Sequence, residues 1–326
     1  MSAAAALAAG TALGEYRIES LLGTGGFGLT YLATDENLRL KVALKEYLPS
    51  SLAERGEDSS IRPRDGEAAQ TFAWGKERFL DESRTLASFK HPAIVRVMRF
   101  FEANQTAYMA MPYYSGRNLQ QVRLAMTDAP AEPWLRSVLE PLLGALERLH
   151  AEGVYHRDIS PDNIHIEAEG RPVLLDFGAA RRVVSGRTQT LTAILKPAYA
   201  PIEQYAESSA VKQGPWTDLY ALGATMYFML TGIPPVPGTV RAVSNEPAGL
   251  AAQQVPGISH ELLAVIDWML EPHPAARPQS VAELQAVLGG RKPLPSRAVS
   301  PRPSSSPVSA DGGLPRDVHA TDGVVP

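Results

Sequence analysis

The run His156-Arg157-Asp158-Ile159-Ser160-Pro161-Asp162-Asn163 constrains this chain more than any other. Upstream, Val138-Leu139, Leu142-Leu143, Leu146 and Leu149 recur at helical spacing as far as His150. Downstream, the apolar run Val173-Leu174-Leu175 leads into Asp176-Phe177-Gly178. A polar loop is therefore set between two apolar segments.

Further runs appear in order along the chain. Leu22-Gly23-Thr24-Gly25-Gly26-Phe27-Gly28-Leu29-Thr30 is a glycine-rich turn between two strand-like stretches, Glu15 to Leu21 and Leu29 to Ala33. Glycines let strands turn tightly and bring backbone N–H groups close to phosphate. Val42-Ala43-Leu44 ends in Lys45. Phe79 and Leu86 mark the buried face of a helix that carries Glu82, and His91-Pro92-Ala93-Ile94-Val95 follows it. Pro201-Ile202-Glu203, Asp218 in Trp216-Thr217-Asp218-Leu219-Tyr220, and Arg277-Pro278 come later.

Taken together, these runs resemble the ordered motifs of a protein kinase, in flavour a bacterial, eukaryotic-like (Hanks-type) serine/threonine kinase. The resemblance covers roughly Glu15 to Leu288. It implies a two-lobed α+β fold. The small lobe, about 14–111, is an antiparallel sheet with one helix, αC; the larger lobe, about 115–289, is mainly helical.

The resemblance also implies transfer of the ATP γ-phosphate to serine or threonine of protein substrates, in signalling. Phosphoryl transfer needs little covalent help: a carboxylate to orient the hydroxyl and metal ions to hold the phosphates. Asp158 is the implied carboxylate, and Asn163 with Asp176 the implied ligands of magnesium, or of manganese in its place. Lys45, held by Glu82, would pair the α- and β-phosphates. The nucleotide site would comprise Leu22 to Thr30, Ala43, Lys45, the gatekeeper Met111, the Pro112 carbonyl, the Tyr114 N–H, and His165 beneath the base. Leu86, Val97, His156 and Phe177 would form the apolar column linking the lobes.

The catalytic loop departs from the family in one place. Ser160 stands where most serine/threonine kinases carry lysine, and Lys196, counted back from Glu203, stands where they carry threonine. The expectation is a reciprocal exchange, with Lys196 supplying the cation and Ser160 the hydroxyl. Arg157 would pair with a phosphate on Ser185, Thr188, Thr190 or Thr192. Two alternatives stay open: a pseudokinase scaffold that binds nucleotide with little transfer, and a small-molecule kinase of related fold. Pro201-Ile202-Glu203 and Arg277 count against the second, because they build the peptide-binding side.

Composition sets the bounds. A net charge of −4 gives no case for nucleic-acid binding, and the absence of cysteine excludes disulfides and Cys-based metal sites. Met1 to Ala9 lacks the basic start of a secretory signal, and the longest apolar run, Leu219 to Leu230, is too short to span a bilayer. A soluble, cytoplasmic chain is the expectation. Residues 1–13 read as a mobile leader, and the long segment Glu46 to Asp81 as a solvated or regulatory insertion. Helices are expected from Ser259 and from Ser280, the latter ending at Gly289-Gly290. Residues 290–326, rich in Pro and Ser, read as a disordered tail with candidate phosphorylation or docking sites at Ser300 and Ser306.

Overall fold

Alternation of apolar and polar residues sets the first layer. In β3 (Gly28–Asp35), Leu29, Tyr31 and Ala33 turn inward while Thr30, Leu32 and Thr34 face the other side. This strand forms a hairpin with β2 (Tyr16–Gly25), and the glycine-rich run makes the turn. A Cβ on Gly28 would come within 1.9 Å of the Glu46 carbonyl oxygen, so only glycine permits the approach of β4 (Leu40–Tyr47). With β1 (Ala12–Leu13), β7 (Arg99–Ala103) and β8 (Thr106–Pro112), these strands form one antiparallel sheet in the order β1-β2-β3-β4-β8-β7.

The computed structural model describes residues 6–176, 195–205, 212–244, 249–253 and 255–295. Phe177, Gly178, Ser185, Thr188, Thr190, Thr192, Ser300 and Ser306 lie outside them. The compact unit ends at Leu294.

Two expectations about the small lobe are corrected. Residues 6–13 are not a loose leader. Leu7 and Leu13 are buried, the Leu7 N–H donates to the Tyr31 hydroxyl at 3.2 Å, and Ala12 and Leu13 pair with Arg17 and Tyr16. Burial of two leucines and strand pairing offset the entropy of holding the segment. Nor is Glu46 to Asp81 a solvated excursion. It contains a small hairpin, β5 (Ala53–Arg55) with β6 (Ile61–Pro63), and then the greater part of a long helix, α1 (Gly66–Ser88). Leu48, Leu52 and Ile61 are buried, and the Ile61 N–H donates to the Asn104 carbonyl. The almost fully buried Arg55 lies 2.5 Å from Glu46, whose carboxylate also accepts from the Tyr31 and Tyr108 hydroxyls. Asp65 caps α1 by accepting from the Ala68 N–H at 2.7 Å. Phe72, Phe79 and Leu86, two turns apart, lie along its buried face.

The larger lobe is built on α3 (Glu132–Ala151) and α4 (Pro215–Thr231), following β9 (Gly116–Asn118) and the short α2 (Leu119–Leu124). Helix α4 is buried on nearly all sides. A Cβ on Gly223 would lie 2.7 Å from the Met269 Cβ, which marks how closely α4 meets α6 (His260–Met269). Between α4 and α6 lies α5 (Gly238–Ser244), and α7 (Val281–Leu288) completes the lobe. Ser259 and Ser280 accept from the Leu262 and Glu283 N–H groups, as their positions predict. Strand β10 (Ile164–Glu167) pairs with β11 (Pro172–Leu174) on one side and β9 on the other, beneath the cleft between the lobes. Among the described residues, no helix is long and apolar enough to cross a membrane.

Candidate active site

The cleft is about 350 Å³ and is lined by Gly23 to Gly28, Thr30, Lys45, Phe79, Asn118, Asp162, Asn163 and Asp176. Its roof is the glycine turn, and β4 sets Lys45 in register between Thr30 of β3 and Met109 of β8. Its floor is the loop that precedes β10.

That loop is held from below by one buried carboxylate. Asp218, in the first turn of α4, accepts from the His156 N–H at 2.9 Å and the Arg157 N–H at 2.7 Å. His150 Nε2 lies 2.8 Å from the same carboxylate. Burial alone would push the Asp218 pKa up, but His150, His156 and the Arg157 N–H outweigh it and hold the pKa below its ordinary value. The buried His156 ring in turn contacts the Leu175 carbonyl at 2.9 Å, tying the loop to the segment that carries Asp176.

The reactive groups sit on this frame. Asn163 Nδ2 donates to the Asp158 carbonyl at 2.8 Å and to Asp158 Oδ2 at 2.6 Å, fixing the carboxylate. Both bonds use the amide nitrogen, so Oδ1 remains as the oxygen donor Asn163 offers to the cleft. Lys45 Nζ lies 2.7 Å from Asp176 Oδ1. Asp176 has φ +47 and Arg157 φ +67, left-handed conformations that bulkier residues seldom adopt outside functional sites.

Glu82, the partner expected for Lys45, is buried on α1. The left-handed turn at Asp176 brings its carboxylate to the Lys45 ammonium from the opposite lobe.

Of the expected nucleotide residues, Gly23 to Gly28, Thr30 and Lys45 line the cleft. Leu29 does not: it is fully buried on the opposite face of β3 from Thr30. Leu22 is largely exposed. Ala43 and Met111 are buried partners on β4 and β8, and Pro112 pairs with Val42. The Tyr114 hydroxyl accepts from the Arg96 N–H at 3.3 Å. His165 packs its ring against Tyr114, with centroids 6.4 Å apart, and is not among the cleft-lining residues. Burial lowers its pKa, so the ring is held neutral. Leu86, Val97 and His156 are buried as expected of a column between the lobes.

Two lining residues carried no sequence assignment. Asn118 caps α2 reciprocally with Gln121, and its spacing three residues ahead of a glutamine signals the cap but not the cleft. Asp162 lies 2.5 Å from Lys196 Nζ, which also donates to the Ser160 hydroxyl at 2.7 Å. No periodic pattern or spacing marks a lone aspartate of this kind. Farther out, Arg277 Nη1 meets Glu203 Oε1 at 2.7 Å, as the sequence predicts.

A family described as the protein kinase domain matches residues 16–287. Serine/threonine-protein kinase C of Synechocystis sp. is 32% identical over 287 residues, spanning 85% of this chain and 50% of that protein. Serine/threonine-protein kinase F of the same organism is 31% identical over 317 residues, spanning 94% of this chain and 61% of that protein. The chain thus matches about half to three-fifths of the length of these relatives. The solved structure of PpkA-294 in its apo form aligns with a TM-score of 0.81 at 42% identity, covering 87% of this chain and 99% of that one.

Proposed function

The chain belongs to the protein kinase family, and on that footing we propose that it transfers the γ-phosphate of ATP to serine and threonine hydroxyls of proteins, its own activation segment among them. The observation that carries this reading is the fixing of Asp158 at 2.6 Å by Asn163, which itself lines one cleft with Lys45 and Asp176.

The mechanism follows from these groups. Asp158 orients the substrate hydroxyl and takes its proton. As the hydroxyl oxygen bonds to the γ-phosphorus, the bond from that phosphorus to the β–γ bridging oxygen breaks and ADP leaves. Lys45 binds the α- and β-phosphates, and the glycine turn covers the chain with its N–H groups. Because little covalent help is needed, the rate comes from positioning and electrostatic stabilisation.

The donors fit a divalent cation. The Asn163 amide oxygen and the Asp176 carboxylate are hard oxygen ligands, and magnesium favours one or two such side chains together with phosphate oxygens. Asn163 and Asp176 would hold it, and when bound it would neutralise charge on the phosphates.

Arg157 bears on activation. Its guanidinium lies over the Tyr155 ring at 5.5 Å, with Nε buried and lacking a hydrogen bond among the described residues. Burial lowers its pKa despite Asp218 and Tyr155 nearby. A phosphate on the activation segment would satisfy such a group.

The test is to incubate the purified chain with labelled ATP and magnesium and to map phosphosites by mass spectrometry. Phosphoserine or phosphothreonine is expected. Nucleotide binding with no transfer to any protein would contradict the reading.

A further inference from the structure

A phosphoryl group in flight spreads negative charge over its equatorial oxygens, so cations are useful on both sides of it. Lys45 serves the nucleotide side. On the hydroxyl side, the recess around Asp158 is lined by Arg157, Ile159, Leu195, Lys196, Tyr199, Ala200, Gln204 and Ala221. Two of these residues are cationic. Arg157 lies over the Tyr155 ring, whereas Lys196 reaches the catalytic loop itself at Ser160.

Lys196 is built into place. Its carbonyl accepts from the Tyr199 and Ala200 N–H groups at 2.9 Å, starting a turn that runs to Glu203. Glu203 is anchored to Arg277 in the core. The ammonium donates to Ser160 Oγ at 2.7 Å and meets Asp162 Oδ2 at 2.5 Å. Ser160 is fully buried, and Asp162 reaches both this ammonium and the phosphate cleft.

We infer that Lys196 is the transfer cation on the hydroxyl side of the site, and that Asp162, with Ser160, is the positioning pair that latches its ammonium to the catalytic loop. This rests on the phosphotransfer reading above and adds to it a residue with no assigned role, Asp162. Because Lys196 comes from the activation segment while Ser160 and Asp162 come from the loop, the cation is delivered only when the two segments are docked. The contact of Lys196 with the loop is thereby coupled to the charge balance of the transfer step.

The test uses the full chain and two kinds of readout. Lys196→Ala is expected to lower kcat by roughly tenfold or more with the dissociation constant for ATP nearly unchanged, the signature of an interaction made in the transition state. Lys196→Arg should recover part of the loss. The exchange Ser160→Lys with Lys196→Thr should be more active than Lys196→Thr alone, a non-additivity expected of contacting residues. Independently of activity, acetic anhydride labelling read by mass spectrometry should modify Lys196 several-fold faster in Asp162→Ala than in the parent, with melting temperatures confirming that the variants fold. Wild-type kcat in Lys196→Ala, or unchanged labelling in Asp162→Ala, would overturn the inference. Loss of turnover in Asp158→Asn in the same experiment would show that the underlying reading stands regardless. Absence of turnover in the parent chain would count against that reading instead, and the labelling arm would still decide the latch.

Discussion

Arg277 Nη1 lies 2.7 Å from Glu203 Oε1, and neither side chain has any exposure to solvent. Glu203 also accepts from the Thr217 hydroxyl at 2.9 Å, and Arg277 donates to the Glu271 and Pro272 carbonyls. The pair fastens the segment ahead of α4 to the far end of the larger lobe. Burying two charges is costly, so the pair adds little net stability, but removing one partner strands the other. Arg277→Met is therefore expected to destabilise the fold by about 3–5 kcal/mol. Arg277→Met with Glu203→Gln should cost clearly less. Urea unfolding of both variants checks this.

Asp218 carries a pH signature. Its pKa in the folded chain is lowered, the net of a burial penalty and stronger contributions from His150, His156 and the Arg157 N–H. A depressed folded pKa means that the stabilisation is complete above the unfolded value, about 3.9. It is lost as pH falls below that value toward the folded pKa. Asp218→Asn should be less stable than the parent at neutral pH and lose less on acidification below about pH 4. Thermal melts across that range would show the two curves converging.

Local chemistry explains what was legible in the sequence. The glycine turn, the alternation in β3, the serine caps and the buried helix around Leu219 to Leu230 each rest on residues close in the chain. The exact start of α4 at Pro215 was hidden because Thr217 and Asp218, though buried, are polar. The ordered leader was hidden because the burial of Leu7 and Leu13 depends on Tyr31 and β2, which no local pattern reports. The hairpin of β5 and β6 has strands of three residues, too short for a periodic signal, and its anchor at Asn104 is distant in sequence. At the site, the contact of Lys45 with Asp176 was hidden because it is made through a left-handed turn far along the chain. Lys196 and Ser160 were paired from their interchanged positions, but Asp162 beside them was not.

Arg157 offers a test of activation. Its buried guanidinium should accept a phosphate on Ser185, Thr188, Thr190 or Thr192, residues outside those described here. Autophosphorylated protein should carry phosphate on at least one of the four. Arg157→Ala should then remove most of the gain in rate that autophosphorylation confers, while changing the unphosphorylated rate little. Full activity with no phosphate on any of the four would contradict this.

The most direct measurement is the transfer rate of Asp158→Asn alongside its affinity for magnesium and ATP. Asp158 is held to Asn163 at 2.6 Å and lines the recess that also holds Lys196. The substitution keeps the shape and removes the charge that orients and deprotonates the hydroxyl. Transfer is expected to fall by orders of magnitude, each tenfold being about 1.4 kcal/mol of barrier, while nucleotide affinity is largely retained. Near-parental turnover in Asp158→Asn would contradict the assignment of this site.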